Sequence, residues 1–252
     1  MELNIVIYSI VFLYGIVIGS FLNVCIYRIP KGEDIIRTSS HCMECNHVLK
    51  WYDLFPIFSY LLLGGKCRYC KKKLSLQYPL IEAANGLLYC LIILVKGINV
   101  NSLIYCFLVS ALLTLSIIDI RIYEIPGGIT CFILILGILH TIINYHNFWN
   151  YSLGFFSVSA GLFLLYCIMQ GNGIGGGDIK LMAVSGLLLG WKENILAFLL
   201  ACIIGSIIHL LRMRIEKVSH VLAFGPYLAM GILISLLWGK TIVGWYINLL
   251  GI

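Results

Sequence analysis

Long apolar runs, recurring almost end to end, constrain this chain more than anything else in it. The first extends from Leu3 to Tyr27, and others follow at Pro79–Val95, Ser102–Ile118, Gly127–Asn144, Tyr151–Met169, Leu181–Trp191, Ile195–Leu211 and Leu222–Trp238. A helix needs about 20 apolar residues to cross a hydrocarbon core of about 30 Å, so these runs predict an all-α polytopic membrane protein with about eight transmembrane helices. Only 11% of the 252 residues are charged and 61% are apolar, and the mean hydropathy is +0.99. A large soluble domain, a disordered chain and a secreted disulfide scaffold are all excluded. The Leu181–Trp191 run is too short to span alone and is expected to be tilted into protein, extended at an end, or re-entrant. The tail from Gly239, with Lys240 and two aromatics, reads as interfacial. The first run lacks a basic flank and a small-x-small cleavage site, so it reads as a retained span.

One long polar insertion separates residues 1–27 from the remaining spans at 79–252. Residues 28–78 hold nine of the seventeen Lys and Arg residues. Starting with the N-terminus outside, fourteen basic residues fall on one side, Arg121, Lys180, Arg212, Arg214 and Lys217 among them. Only Lys96, Lys192 and Lys240 fall on the other. The positive-inside rule therefore places the insertion in the cytoplasm. Topology and anionic lipid account for the net charge of +6 without nucleic acid.

Within the insertion, HCMEC at Cys42 and Cys45 is followed, after twenty-one intervening residues, by CRYC at Cys67 and Cys70. Two CxxC knuckles at that spacing predict a closed tetrathiolate zinc site with a structural role, in a reducing compartment where disulfides are rare. A module this short has too little core to fold without such a staple. Lys66, Arg68, Lys71, Lys72 and Lys73 would offset the negative charge of four thiolates, and His41 and His47 read as surface residues. The other six cysteines lie in apolar runs as small hydrophobes.

Acids are scarce in the spans, and an intramembrane acid is a functional candidate by default. Asp119 ends the third span in SIIDIRIYEIP, and Asp178 follows the run GNGIGGGD. Both fall at cytoplasmic helix ends in a topology set by basic residues alone. Two carboxyls in one wet cavity would share a proton, the arrangement an aspartyl protease requires. The plainer readings are a salt bridge from Asp119 to Arg121 and an N-cap role for Asp178 on a helix starting near Ile179. Glu124, beside Pro126, and Glu82, near the start of the second span, compete for the acid role. Gly171, Gly173 and Gly176 match a dinucleotide fingerprint, but no βαβ unit surrounds them. Glycines there suit irregular backbone lining a cavity, or helix packing.

On these residues the chain resembles the type IV prepilin peptidases, the leader peptidases and N-methyltransferases of pilus, competence and type II secretion systems. The likeness rests on GSFLNVCIYRIP (Gly19–Pro30), the two knuckles, QYPLIEAANG (Gln77–Gly86), Asp119 with Ile125–Pro126, GGGDIKLMA (Gly175–Ala183) and FGPYLAMG (Phe224–Gly231). Gly175, Gly177 and Asp178 fit the GxGD signature of polytopic aspartyl proteases. The resemblance implies that Asp119 and Asp178 are the catalytic pair and that Gly175 and Gly177 support their loop. It implies prepilin or pseudopilin substrates whose basic leader ends in glycine at the cytoplasmic face of the bacterial plasma membrane. It also implies methylation of the new amino terminus from S-adenosylmethionine. Gly127 stands where the family usually has an acid, and Met43 where proline is common. A transporter, whose acids couple ions, and a zinc-dependent assembly scaffold are the readings from other classes.

Overall fold

The computed structural model describes residues 2–171, 173–215 and 222–249, in which the regular elements are helices. The helices are α1 (Glu2–Arg28), α2 (Phe58–Leu62), α3 (Gln77–Lys96), α4 (Val100–Ile122), α5 (Gly127–Ile143), α6 (Phe148–Ser157), α7 (Ser159–Ile168), α8 (Gly176–Leu189), α9 (Trp191–Ile215) and α10 (Gly225–Leu249). Among the described residues, six stretches are long and apolar enough to cross a membrane: Ile5–Lys31, Gln77–Lys96, Val100–Ile122, Tyr145–Ile168, Trp191–Arg214 and Gly225–Leu249. The shorter α5 is also apolar. Lys217, used above for orientation, and Asn172 of the glycine run lie outside the described residues. The tail that reads as interfacial continues α10 as far as Leu249, and residues 250–252 lie outside the description.

The chain divides into two compact units, Met1–Thr114 and Leu115–Ile252. In the first, α1 packs along α3. Without water at membrane depth, a polar side chain between helices must find a partner in the protein. Asn85, fully buried, does so twice. Its amide donates to the carbonyl of Gly15 on α1 at 2.7 Å, and its oxygen accepts the Ser110 hydroxyl of α4 at 2.8 Å. Ser110 in turn lies 2.9 Å from the Tyr89 hydroxyl. Side chains such as Ile5, Ile10 and Val17 on α1 are left outward, as a lipid-facing surface requires.

In the second unit α8 is the helix the others surround, with α5, α6, α7, α9 and α10 all packed on it. Its fourteen residues rise about 21 Å, short of a bilayer core. Leu181 and Met182 are nonetheless wholly buried. Protein, not lipid, covers this helix, which explains how so short an apolar segment is accommodated. It also begins at Gly176, five residues before the apolar run. The expected single span Tyr151–Met169 is broken between α6 and α7 at Val158. On either side Ser157 and Ser159 turn their hydroxyls onto the carbonyls of Gly154 and Phe155, a local competition that bends helices. Asn194 of α9 donates to the carbonyls of Gly154 and Met182, both at 3.1 Å, tying α6, α8 and α9 together.

Replacing Asn85 with Ala removes the side-chain bond to the Gly15 carbonyl and leaves the Ser110 hydroxyl with Tyr89 alone. The expected cost is about 0.5–2 kcal/mol, the range found for interhelical hydrogen bonds in membranes, read as a lower midpoint of unfolding in mixed micelles. An unchanged midpoint would show that the network carries no stability.

Candidate active site and metal centre

Asp119 sits in the last turn of α4 and is only 4% exposed. Its Oδ2 accepts the backbone N–H of Gly225, the first residue of α10, at 2.8 Å. A Cβ on Gly225 would fall 2.8 Å from that same oxygen, so only glycine allows the backbone to come this close. The chain leaves α4 through Tyr123, whose N–H bonds the Asp119 carbonyl at 2.8 Å and whose φ of +56° is a conformation that favours glycine.

Asp178 is not the cap of its helix. The N-cap of α8 is Gly175, with extended backbone, and Asp178 lies inside the first turn, where the helix dipole favours an anion. The flanking glycines make room at two different points. A Cβ on Gly175 would sit 2.8 Å from the Asp178 carboxylate, and one on Gly177 would sit 2.9 Å from Cβ of Ile125. Gly177 thus lets the start of α8 rest on the residue that, with Pro126, leads into α5.

Asp119 and Asp178 line one cavity of about 940 Å³ together with Gly175, Gly176 and Gly177. Apolar walls come from Leu162, Leu165, Phe198 and Phe224, the two phenylalanine rings meeting edge to face at 6.5 Å. Glu124 also lines this cavity while remaining exposed. It is therefore both solvated and near the aspartates. Glu82 lines a different cavity, within the first unit. The aromatic wall was invisible to charge and spacing; only the Phe224–Gly231 motif hinted at it.

The polar insertion repeats one small hairpin. Cys42 N–H bonds the His47 carbonyl at 3.0 Å and Asn46 N–H returns to the Cys42 carbonyl at 2.9 Å. Cys67 bonds Lys72 at 2.9 Å, and Lys71 returns to Cys67 at 3.1 Å, in the same pattern. Asn46 and Lys71, each four residues past the first cysteine of its knuckle, both take positive φ. The hairpins bring the sulfurs of Cys42, Cys45, Cys67 and Cys70 within 4.8 Å of one another. A tetrahedral ion with metal–sulfur bonds of about 2.3 Å has sulfur–sulfur edges of about 3.8 Å, and Cys42 and Cys70 are 3.9 Å apart. The donor set fits such an ion. Burial opposes ionisation of Cys42, yet the backbone N–H groups of Cys45 and Glu44, together with the thiols of Cys45 and Cys67, outweigh it and bring the thiol down to about 7. At Cys45 the His47 N–H favours ionisation, but desolvation and the sulfurs of Cys42 and Cys70 outweigh it and raise the thiol to about 11. The metal-free pair therefore favours one thiolate.

Neither histidine joins the sulfur group. His47 stacks on Tyr69 with centroids 3.6 Å apart, and His41 lies 3.2 Å from the Ser39 carbonyl. Two of the five basic residues beside the second knuckle meet carboxylates instead of acting only on the thiolates: Arg68 pairs with Asp53 and Lys72 with Glu44, both at 2.7 Å. Arg28, counted above only as a charge of the insertion, also has a structural role. It is 5% exposed and donates to the carbonyls of Asp34, Ile35, Thr38 and Ser39, so it organises the loop that leads to the first knuckle.

Helices able to cross a membrane, an acid-lined cavity and a four-cysteine module define a multi-pass membrane protein with an embedded polar site. Residues 13–96 match the bacterial peptidase A24 N-terminal domain, and residues 106–210 match the type IV leader peptidase family. Proteins named prepilin leader peptidase/N-methyltransferase are 32% identical in Pseudomonas putida, over 94% of this chain and 92% of theirs, and 32% identical in Bacillus subtilis, over 96% and 98%. The chain belongs to the type IV prepilin leader peptidase/N-methyltransferase family. No solved structure matches it.

Elemental analysis of the purified chain should find one metal ion per molecule, and Cys67→Ser should lose it. Full occupancy in that variant would exclude the four-sulfur site.

Proposed function

We propose that the chain is a bifunctional enzyme that removes the short basic leader of type IV prepilin-like proteins and then N-methylates the new amino terminus from S-adenosylmethionine. The meeting of Asp119 and Asp178 in one cavity carries this reading, in a family whose relatives bear both activities in their names. One carboxylate takes a proton from water as it attacks the scissile carbonyl. The other, in its acid form, polarises that carbonyl and then protonates the leaving nitrogen. Gly175 and Gly177 keep the loop close enough for the carboxyls to face a substrate strand, and the Gly225 N–H fixes the Asp119 side chain for its part. The apolar walls suit the hydrophobic helix that follows a prepilin leader.

The site works at the cytoplasmic face of the bacterial plasma membrane, a sidedness supported by the distribution of Lys and Arg. The shorter helices α5 and α8 bring the number of transmembrane helices to eight. Residues 1–27 form the first, 28–78 a cytoplasmic module, and 79–252 the protease domain. The module's four thiolates hold Zn²⁺, which stabilises the fold and takes no part in the cleavage. Lipid surrounds the spans, and nucleic acid has no role.

The purified chain in liposomes, given a prepilin and S-adenosylmethionine, should yield a product shortened by the leader and heavier by one methyl group, read by mass spectrometry. Cleavage of no prepilin offered to folded protein would contradict the peptidase reading. Cleaved product that never gains a methyl group would contradict the second activity alone.

A further inference from the structure

A second cavity, of about 330 Å³, lies within the first unit, lined by the end of α1, the cysteine module and the start of α3. Glu82 is its most unusual residue. It is 5% exposed, and its Oε2 accepts the backbone N–H of Ile57 at 2.7 Å, with Ser20 lining the same cavity. Ile57 has φ +59° and ψ −52°, a conformation that costs a β-branched residue about 1–3 kcal/mol and is found where function over-determines it.

Glu82 is met by a neutral donor, a backbone N–H. None of the four ion pairs among the described residues involves it. Arg28, which lines the same cavity, directs its guanidinium to backbone carbonyls. A buried carboxylate is costly unless a cation offsets it, and this one lines a cavity that is open to a ligand. Tyr27, Phe55 and Tyr60 add aromatic surface to the wall, and Lys73 adds a positive charge. The ligand that suits this lining carries an ammonium, a carboxylate and a flat aromatic base.

We propose that this cavity binds S-adenosylmethionine, with Glu82 holding the ammonium of its amino-acid end. The inference rests on the methyl-transfer reading given above. When bound, the donor supplies a methyl group: the amine lone pair of the new amino terminus forms the C–N bond as the C–S bond breaks, sulfur keeps the electrons, and a neutral thioether leaves. The incoming ammonium first loses one proton to water at the mouth of the cavity. Glu82 is assigned to the donor's ammonium and not to its sulfonium for a physical reason. The sulfonium charge disappears in the transfer, so a carboxylate touching it would stabilise the reactant more than the transition state. The ammonium keeps its charge throughout.

The test uses the full chain in nanodiscs, with radiolabelled S-adenosylmethionine and S-adenosylhomocysteine measured by equilibrium dialysis. Glu82→Gln keeps an oxygen for the Ile57 N–H but loses the charge, and should weaken both ligands by the same factor, about tenfold or more. Val24→Phe, which fills the cavity from α1, should weaken both as well. Ultraviolet cross-linking of labelled S-adenosylmethionine to the wild type, followed by peptide mapping, needs no variant and should mark segments within 20–28, 53–60 or 74–82. Label confined to 115–252, wild-type affinity in both variants, or a loss for S-adenosylmethionine alone would overturn the assignment. Wild type that binds neither ligand and methylates no cleaved prepilin would overturn the methyltransferase reading itself, whereas methylation with label elsewhere would overturn only this cavity.

Discussion

A polar group at membrane depth must be bonded within the protein or reached by water in a cavity, and the rest of this structure follows from that requirement. Among the described residues no buried side-chain nitrogen or oxygen lacks a hydrogen-bond partner. Asn85 and Asn194 meet the requirement by joining helices. Asp119 and Asp178 meet it differently: one takes a backbone N–H from the start of α10, the other sits in the first turn of α8, and both line a cavity. Irregular backbone at Gly173–Gly175 is tolerated because it lines that same space. Interhelical polar contacts and the acid-lined site are thus two answers to a single constraint.

Outside the spans the constraint is reversed. The segment between α1 and α3 has water for its polar groups but too few apolar residues to bury for a core of its own. Its order comes from point attachments: Arg28 on the loop carbonyls, Asp53 on Arg68, Glu82 on Ile57, and four sulfurs drawn together by two copies of one hairpin. The exposed Lys72–Glu44 pair adds little, since surface ion pairs contribute at most about 1 kcal/mol. A metal bound by the thiolates would be worth far more than any of these contacts.

Much of this was legible in the sequence because hydropathy and ligand spacing report directly on it. The long spans, the cysteine cluster and the sharing of one cavity by Asp119 and Asp178 all follow patterns that a linear reading can hold. What escaped depends on neighbours distant in sequence. The burial of α8 is set by five other helices, so an eleven-residue apolar run gave no sign of what would cover it. Gly177 and Gly225 are required by the close approach of Ile125 and Asp119, contacts that local composition does not encode. Asp178 reads as a cap only until Gly176 and Gly177 are seen to be helical. Ile57, Tyr123 and Lys71 take positive φ without the glycine or asparagine that signals it.

In the proposed mechanism, the carboxyls of Asp119 and Asp178 perform the cleavage by exchanging a proton with water and substrate. Asparagine matches aspartate in shape, and at position 119 it still offers an oxygen to the Gly225 N–H, but it cannot take up or release that proton. The decisive measurement is the rate of leader removal from a purified prepilin by Asp119→Asn and Asp178→Asn, at matched amounts of folded protein. Each substitution alone should slow cleavage by about two to four orders of magnitude, the usual contribution of general acid–base catalysis. Wild-type rates in either variant would contradict the account and turn attention to Glu124 in the same cavity.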